Sequence, residues 1–252
     1  MTGTTIEIDL PPVSVIIPAY NEEKWIEKTI SSILESGFPC EVVVVDDGST
    51  DRTPEILSSF GTRIEVITHP VNKGKGAAIV SAIKSASGDI MIFCDAHLLG
   101  LEEYHLLSLV LPLVHGSVRA VLGGCVPAEM SLASIFSPSI ILTGQRAYFK
   151  EDLLSLTEEM ESLGYGLETF LFNKYRRDKT AVVLLPGVTH LIKKDTSSSP
   201  AAATLAYLRE VKEILETLVR TEGFAPKEVT QLKVAVSSLL AKYAATDKEA
   251  EK

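Results

Sequence analysis

The segment VSVIIPAYNEEKWIEKTISSILESGFPCEVVVVDD, Val13 to Asp47, decides how the chain folds. Val13 to Ile17 is a short, β-branched apolar run that Pro18 stops. Glu22 to Glu35 then reads as a helix, with Trp25, Ile26, Ile30, Ile33 and Leu34 on one side. Glu41 to Val45 is a second apolar run, ended by Asp46 and Asp47. Strands that are apolar at nearly every position are covered on both faces. Strand, helix, strand of this kind therefore predicts a parallel sheet between helical layers.

The same alternation continues outward. Thr53 to Phe60 is a short helix with Pro54 in its first turn, and Arg63 to Thr68 is a third strand. Gly76 to Ser87 is helical and Asp89 to Cys94 is a fourth strand. The crossovers should be right-handed. Further on, Glu102 to Val114 reads as helix and Ala120 to Gly123 as strand. Lys150 to Thr157 and Leu167 to Arg176 read as helices, and Ala181 to Pro186 as a last strand. DTSSSPAAA, Asp195 to Ala203, is a shift in composition and predicts a linker over 196–203. Two near-heptad apolar patterns follow: Leu205, Leu208, Val211, Leu215 and Leu218, then Val229, Leu232, Val236, Leu239 and Tyr243. They predict a helical hairpin over 204–244 that packs on itself, on the body or on a second copy, with a homodimer as the expected use. Residues 245–252 are polar and expected to be disordered.

Composition narrows the function. The 252 residues are 46% hydrophobic and 23% charged, as in an ordinary soluble globular protein. A net charge of −9 offers no overall basic field for nucleic acid. Cys40, Cys94 and Cys125 are odd in number and lack CxxC spacing, which argues against a disulfide framework and fits a cytoplasmic location. MTGTTIEIDLPP has neither a basic start nor an apolar core, so no signal peptide is expected. No stretch reaches the roughly 18 apolar residues of a spanning helix.

In an open parallel sheet, ligands bind beyond the carboxyl ends of the strands. Polar residues collect there in series: PAYNEE (Pro18–Glu23), DDGSTD (Asp46–Asp51), NKGKG (Asn72–Gly76) and Asp95-Ala96-His97. Asp46 or Asp47 can accept hydrogen bonds from a nucleobase imide or a ribose hydroxyl. Lys75, between Gly74 and Gly76, can approach an anion closely. Asp95 and His97 can hold a divalent cation that neutralises a diphosphate. Each segment alone also reads as a turn, an N-cap or a strand end. GxxxxGK[ST] and GxGxxG are both absent. His69, His105 and His115 lie outside these segments and read as structural.

Together VSVIIPAYNEE, VVVVDDGSTD, NKGKGAA and GDIMIFCDAHL resemble the nucleotide-binding half of family-2 glycosyltransferases of the GT-A fold. GQRAYF (Gly144–Phe149), GYGLE (Gly164–Glu168) and GVTHLIKK (Gly187–Lys194) are similar to its soluble glucosyl-3-phosphoglycerate synthase branch. The resemblance implies an open, mainly parallel twisted sheet with helices on both faces over residues 1–195. Residues 1–100 would form the nucleotide-binding half and 101–195 the acceptor half. It implies that Pro18, Ala19, Tyr20 and Glu22 line the base and ribose pocket and that Asp47 contacts the base, with Lys75 near the nucleotide. Asp95 matches the first acid of the family's DxD motif, followed by Ala96, and His190 matches a distal histidine of the metal site. Tyr165, Gly166, Leu167 and Glu168 would face the sugar.

His97 stands where the second acid of that motif, the main metal ligand, is expected. Imidazole suits Mn²⁺ better than hard Mg²⁺. The cofactor is then Mn²⁺ or Mg²⁺ held by Asp95, His97 and His190, a more weakly bound ion, or no ion with His97 itself as the cation. The branch's phosphoglycerate loop carries an Arg, whereas GGCVPAEMS here does not, so phosphoglycerate is not carried over. Arg146 reads as an acceptor anion anchor or as a helix-flanking charge, and Leu132 to Leu142 as core or as a lipid-chain site. The leading expectation is an inverting transferase that moves a sugar from a UDP-sugar to a small or lipid-linked acceptor. Glu168 would act as base or position sugar hydroxyls. The alternatives are a non-catalytic nucleotide-sugar binder and an assembly module dominated by the hairpin.

Overall fold

The computed structural model describes residues 10–116, 118–126, 143–164, 166–175 and 179–190. The expected linker, hairpin and tail, the stretch Leu132 to Leu142, and Tyr165 lie outside the described residues.

Four strands of the first half, β1 (Val13–Ala19), β2 (Glu41–Asp46), β3 (Glu65–Thr68) and β4 (Ile90–Phe93), alternate with helices α1 (Ile26–Glu35), α2 (Thr53–Ser59) and α3 (Lys75–Ser85). β1 pairs in parallel with both β2 and β4, and β2 pairs in parallel with β3. Because side chains alternate along a strand, β1, β2 and β4 each serve two cores, whereas β3, at the edge of the sheet, does not. Val13, Val15, Ile17, Val42, Val44, Ile90 and Ile92 join α1 and α2 on one face. Ile16, Val43, Val45, Met91 and Phe93 join α3 on the other. Each such side chain, buried completely or nearly so, contributes about 1.5–3 kcal/mol. That is why the apolar runs tolerate no polar alternation.

The second half adds β5 (Leu98–Leu99), α4 (Glu103–His115), β6 (Ala120–Val126), β7 (Arg146–Phe149), α5 (Lys150–Leu154), α6 (Thr157–Glu161), α7 (Leu167–Lys174), β8 (Thr180–Pro186) and β9 (Thr189–His190). The main sheet has seven strands in the order β3-β2-β1-β4-β7-β6-β8, and β5 pairs with β9. β7 runs antiparallel to both β4 and β6, while β6 and β8 are parallel. The expected mainly parallel sheet with helices on both faces is what the chain forms.

Several elements differ from expectation. The first helix starts at Ile26, because Asn21 takes a left-handed backbone (φ 56°) and Glu22 to Trp25 form a turn whose carbonyl at Glu22 receives the N–H groups of Trp25 and Ile26. The third strand begins at Glu65, after a 3₁₀ turn over Gly61–Arg63. The helix expected over Lys150 to Thr157 is two short helices with a break at Ser155 and Leu156. β7 was not expected at all: four residues opening on an arginine carry no period of two long enough to notice.

Candidate active site

The strand order places β1 beside β4, and the chain leaves β1 towards β2 on one side but leaves β4 towards β6 on the other. A crevice at such a switch point opens at the carboxyl ends of the strands. Register puts the motif residues there: Ala19 pairs with Asp46, and Cys94 N–H donates to Ile16 O at 2.9 Å. The result is a cavity of about 640 Å³. Pro18, Ala19, Tyr20, Glu22, Asp47, Lys75, Asp95, Ala96 and His97 all line it.

The loops after β1 and β2 are laced together. Asn21 N–H donates to Ser49 Oγ (2.9 Å) while Asn21 Oδ1 accepts from Thr50 N–H (2.8 Å). Glu22 N–H donates to Thr53 Oγ1 (2.9 Å), Glu23 N–H to Asp51 Oδ2 (3.1 Å), and Arg52 N–H to Glu23 Oε2 (3.0 Å). Asp46 is turned inward, accepting from Ser49 N–H at 3.0 Å, so of the two candidate base readers Asp47 is the one that lines the cavity. Asp47 is 3% exposed and receives His69 Nδ1 at 2.6 Å, Lys73 N–H at 3.0 Å and Gly74 N–H at 2.7 Å. These bonds fix the NKGKG loop and the start of α3.

Lys75, the first residue of α3, lies between two acids. Its Nζ is 2.9 Å from Asp95 Oδ1 and 2.6 Å from Glu168 Oε1. Burial works against the charged ammonium, but the two carboxylates outweigh it and raise the Lys75 pKa well above its ordinary 10.5. Asp95 Oδ2 accepts from Gln145 Nε2 at 3.0 Å. Gly144 makes room for this: a Cβ there would sit 2.1 Å from Asp95 Oδ2. His97 Nδ1 meets Glu22 Oε1 at 3.2 Å. Burial alone would lower the His97 pKa, yet the bond to Glu22 and the charge of Asp95 hold it above its ordinary 6.5. Thr29 of α1 holds the segment from outside, its Oγ1 lying 2.9 Å from both Ala96 O and Leu98 O.

Three expectations are corrected. Arg146 is no acceptor anchor. It is 1% exposed, its Nε donates to Thr143 O (2.6 Å) and its Nη1 to Glu168 O (2.8 Å), so it props the start of α7 from below. Leu167 is buried in the core, and Gly166 is the N-cap residue of α7. Neither of these, nor Glu168, is among the residues that line the cavity, whose wall on that side is Ser162, Leu163 and Gly164; Glu168 is tied to it through Lys75. The backbone of His190 pairs with Leu98, one residue from His97; its side chain is outside the description. Among the described residues, no three His, Cys, Asp or Glu side chains are gathered as a metal cluster.

Sequence reading missed His69, Gln145 and Ser162 to Gly164. Gln145 stood inside a quoted motif, and a buried amide beside a strand-end acid is the signal that would have found it.

Comparison with known proteins gives the family. The model of the family described as glycosyl transferase family 2 matches residues 14–179. A probable glycosyltransferase, YdaM, of Bacillus subtilis (strain 168) is 39% identical over 97 residues, 35% of this chain and 23% of that one. An undecaprenyl-phosphate 4-deoxy-4-formamido-L-arabinose transferase of Pectobacterium carotovorum (strain PC1) is 39% identical over 98 residues, 36% of this chain and 30% of that one. The chain thus matches less than a third of the length of either relative. The crystal structure of glucosyl-3-phosphoglycerate synthase from Mycobacterium tuberculosis with Mn²⁺, UDP and glucosyl-3-phosphoglycerate superposes with a TM-score of 0.65 at 27% identity, covering 86% of this chain and 82% of that one.

Proposed function

The chain belongs to glycosyl transferase family 2, and from that premise we propose that it is an inverting glycosyltransferase using a UDP-sugar. The observation that carries the reading is the meeting of Glu22, Asp47, Lys75 and the Asp95–His97 pair, from beyond four separate strands, around one cavity of about 640 Å³. That volume is within the range of small-molecule sites. Asp47 at one end suits a base, while Lys75 and the strand-end acids at the other suit a diphosphate and its counter-ion.

The residues fit a divalent cation. Asp95 and His97 are a carboxylate and an imidazole two positions apart. Glu22 on Nδ1 of His97 makes Nε2 the ligating nitrogen, the usual arrangement of an outer carboxylate behind a metal-bound histidine. Asp95 and His97 would hold the ion, with His190 as the third ligand and Mn²⁺ preferred over Mg²⁺. An ion held there would supply positive charge to neutralise a diphosphate. Lys75 supplies a fixed positive charge beside it. Glu168, held by Lys75 and by Arg146 beneath it, takes the proton of an acceptor oxygen that attacks the anomeric carbon opposite the diphosphate.

The acceptor is small or lipid-linked. Relatives with this domain are named for an undecaprenyl phosphate and for phosphoglycerate, which span that range. No helix among the described residues is long and apolar enough to cross a membrane. A cytoplasmic location and a homodimer through 204–244 are retained as parts of the same proposal.

The test is release of nucleoside diphosphate from a panel of UDP- and GDP-sugars with Mn²⁺ or Mg²⁺. Turnover on a UDP-sugar is expected, with Glu168→Gln lowering kcat by about 10²–10⁴ while donor affinity persists. Donor binding with no turnover in any combination would instead make the chain a non-catalytic nucleotide-sugar binder.

A further inference from the structure

His69 lies outside every motif, yet it is 6% exposed and bonded at both ring nitrogens. Nδ1 is 2.6 Å from Asp47 Oδ1, and Nε2 is 2.9 Å from Ser81 Oγ on α3. Against a carboxylate oxygen Nδ1 must donate, so in the neutral ring Nε2 accepts from the Ser81 hydroxyl. His69 N–H also donates to Asp46 O at 2.9 Å, which fixes the backbone beneath the ring. Serine, imidazole and carboxylate therefore stand in line, but the carboxylate, not the serine, lines the cavity. The line is built to orient Asp47.

A carboxylate has about four lone-pair sites. On Asp47, Oδ1 receives His69 and Lys73 N–H, and Oδ2 receives Gly74 N–H. One acceptor site is left, on Oδ2, and its direction is set by the plane of the carboxylate. His69 is the shortest of the three bonds and the only one from a side chain. Without it, Oδ1 keeps a single backbone donor and the group can turn about its Cβ–Cγ bond.

We propose that His69, backed by Ser81, is a positioning residue that aims Asp47 at the nucleobase and thereby selects bases with a ring N–H at the centre of the pairing edge. Uracil N3–H and guanine N1–H satisfy the remaining acceptor. Cytosine N3 and adenine N1 present a lone pair to it and leave a buried polar group unpaired. This rests on the nucleotide-sugar reading above but involves no metal ligand and no step of transfer.

The experiment is calorimetric titration of the full chain, with Mn²⁺, against UDP, GDP, CDP and ADP. For the wild type, UDP or GDP should bind at least about tenfold tighter than CDP and ADP, the scale of one unpaired buried group. His69→Ala should collapse that ratio. His69→Asn, whose amide can still donate to Asp47, should recover much of it, and Ser81→Ala should lie between. A merely structural role would weaken all four nucleotides alike and leave the ratio intact, and that result in a folded His69→Ala variant overturns the proposal. Should His69→Ala not fold, an unchanged ratio in both His69→Asn and Ser81→Ala overturns it equally. A wild type that discriminates by less than about threefold does so as well. A wild type that binds none of the four overturns the nucleotide reading itself.

Discussion

Lys75 shows what one side chain decides in this site. The sequence displays it as a lysine between two glycines, with no hint of its partners, which lie 20 and 93 positions away. In the fold it is the positive centre of a triad with Asp95 and Glu168. Removing one partner from a buried ion cluster leaves uncompensated charge, at a cost of about 3–5 kcal/mol. Lys75→Met should therefore destabilise the fold by about 3 kcal/mol, read as a lower urea midpoint at unchanged slope. The sign of its pH dependence follows from the raised pKa. A lysine whose pKa is higher folded than unfolded contributes fully below the unfolded value of 10.5 and loses that contribution only as pH rises towards the folded one. The deficit of Lys75→Met relative to the wild type should stay flat between about pH 6 and 9 and shrink only in strong alkali. A deficit that fades between pH 7 and 8 would mean that the ammonium is not held by the two acids.

At the scale of elements, legibility followed burial. β1, β2 and β4 were readable because parallel strands covered on both faces are apolar at nearly every position, and their short length and β-branched residues set them apart from buried helix. β7 was not, because its opening residue, Arg146, is buried through Thr143 O and the Tyr148 hydroxyl nearby and through Glu168 O, which only the fold brings near. The start of α3 was legible as a glycine-flanked lysine but not for its physical reason. Gly76 N–H donates to Leu163 O at 2.7 Å, and a Cβ on Gly76 would stand 2.1 Å from the carbonyl oxygens of both Leu163 and Met160. Those are backbone atoms, which cannot step aside as a side-chain tip can. Gly76→Ala should thus push α3 away from the segment after α6, costing about 1–3 kcal/mol or more by overpacking. It should also displace Lys75 and the wall formed by Leu163. The expected result is a lower urea midpoint together with weaker UDP binding. Gly37→Ala, at a position with open space around its Cβ but a positive φ of 82°, should lower stability modestly and leave UDP affinity alone. Equal effects on affinity would show that the helix start does not shape the cavity.

On the scale of the whole molecule, the function depends on bringing four distant loops to one rim, and a sheet with a switch point between β1 and β4 does this without any loop having to be long. The motifs announced that convergence because each sits at the carboxyl end of an apolar run. What they could not announce is the balance of charge within it: Asp95 and Glu168 share Lys75, Asp47 is held by His69, and Glu22 meets His97. A ligand that brings a cation together with a diphosphate should therefore bind the folded state far better than either component alone. By linkage, UDP with its preferred ion at a hundred times the dissociation constant adds about 2.7 kcal/mol, which for a chain of this size raises Tm by about 5–10 °C. With imidazole in place of the second acid, Mn²⁺ should support the larger shift and Mg²⁺ the smaller. His97→Asp restores an all-oxygen set suited to the harder ion, so it should narrow or reverse the gap between the two. Melting curves with UDP plus Mn²⁺, Mg²⁺ or EDTA, on the wild type and on His97→Asp, make the comparison without any acceptor. Identical shifts with both ions in both proteins would remove His97 from the metal site. A full shift in EDTA would leave Lys75 and a charged His97 as the only counter-charges the diphosphate needs.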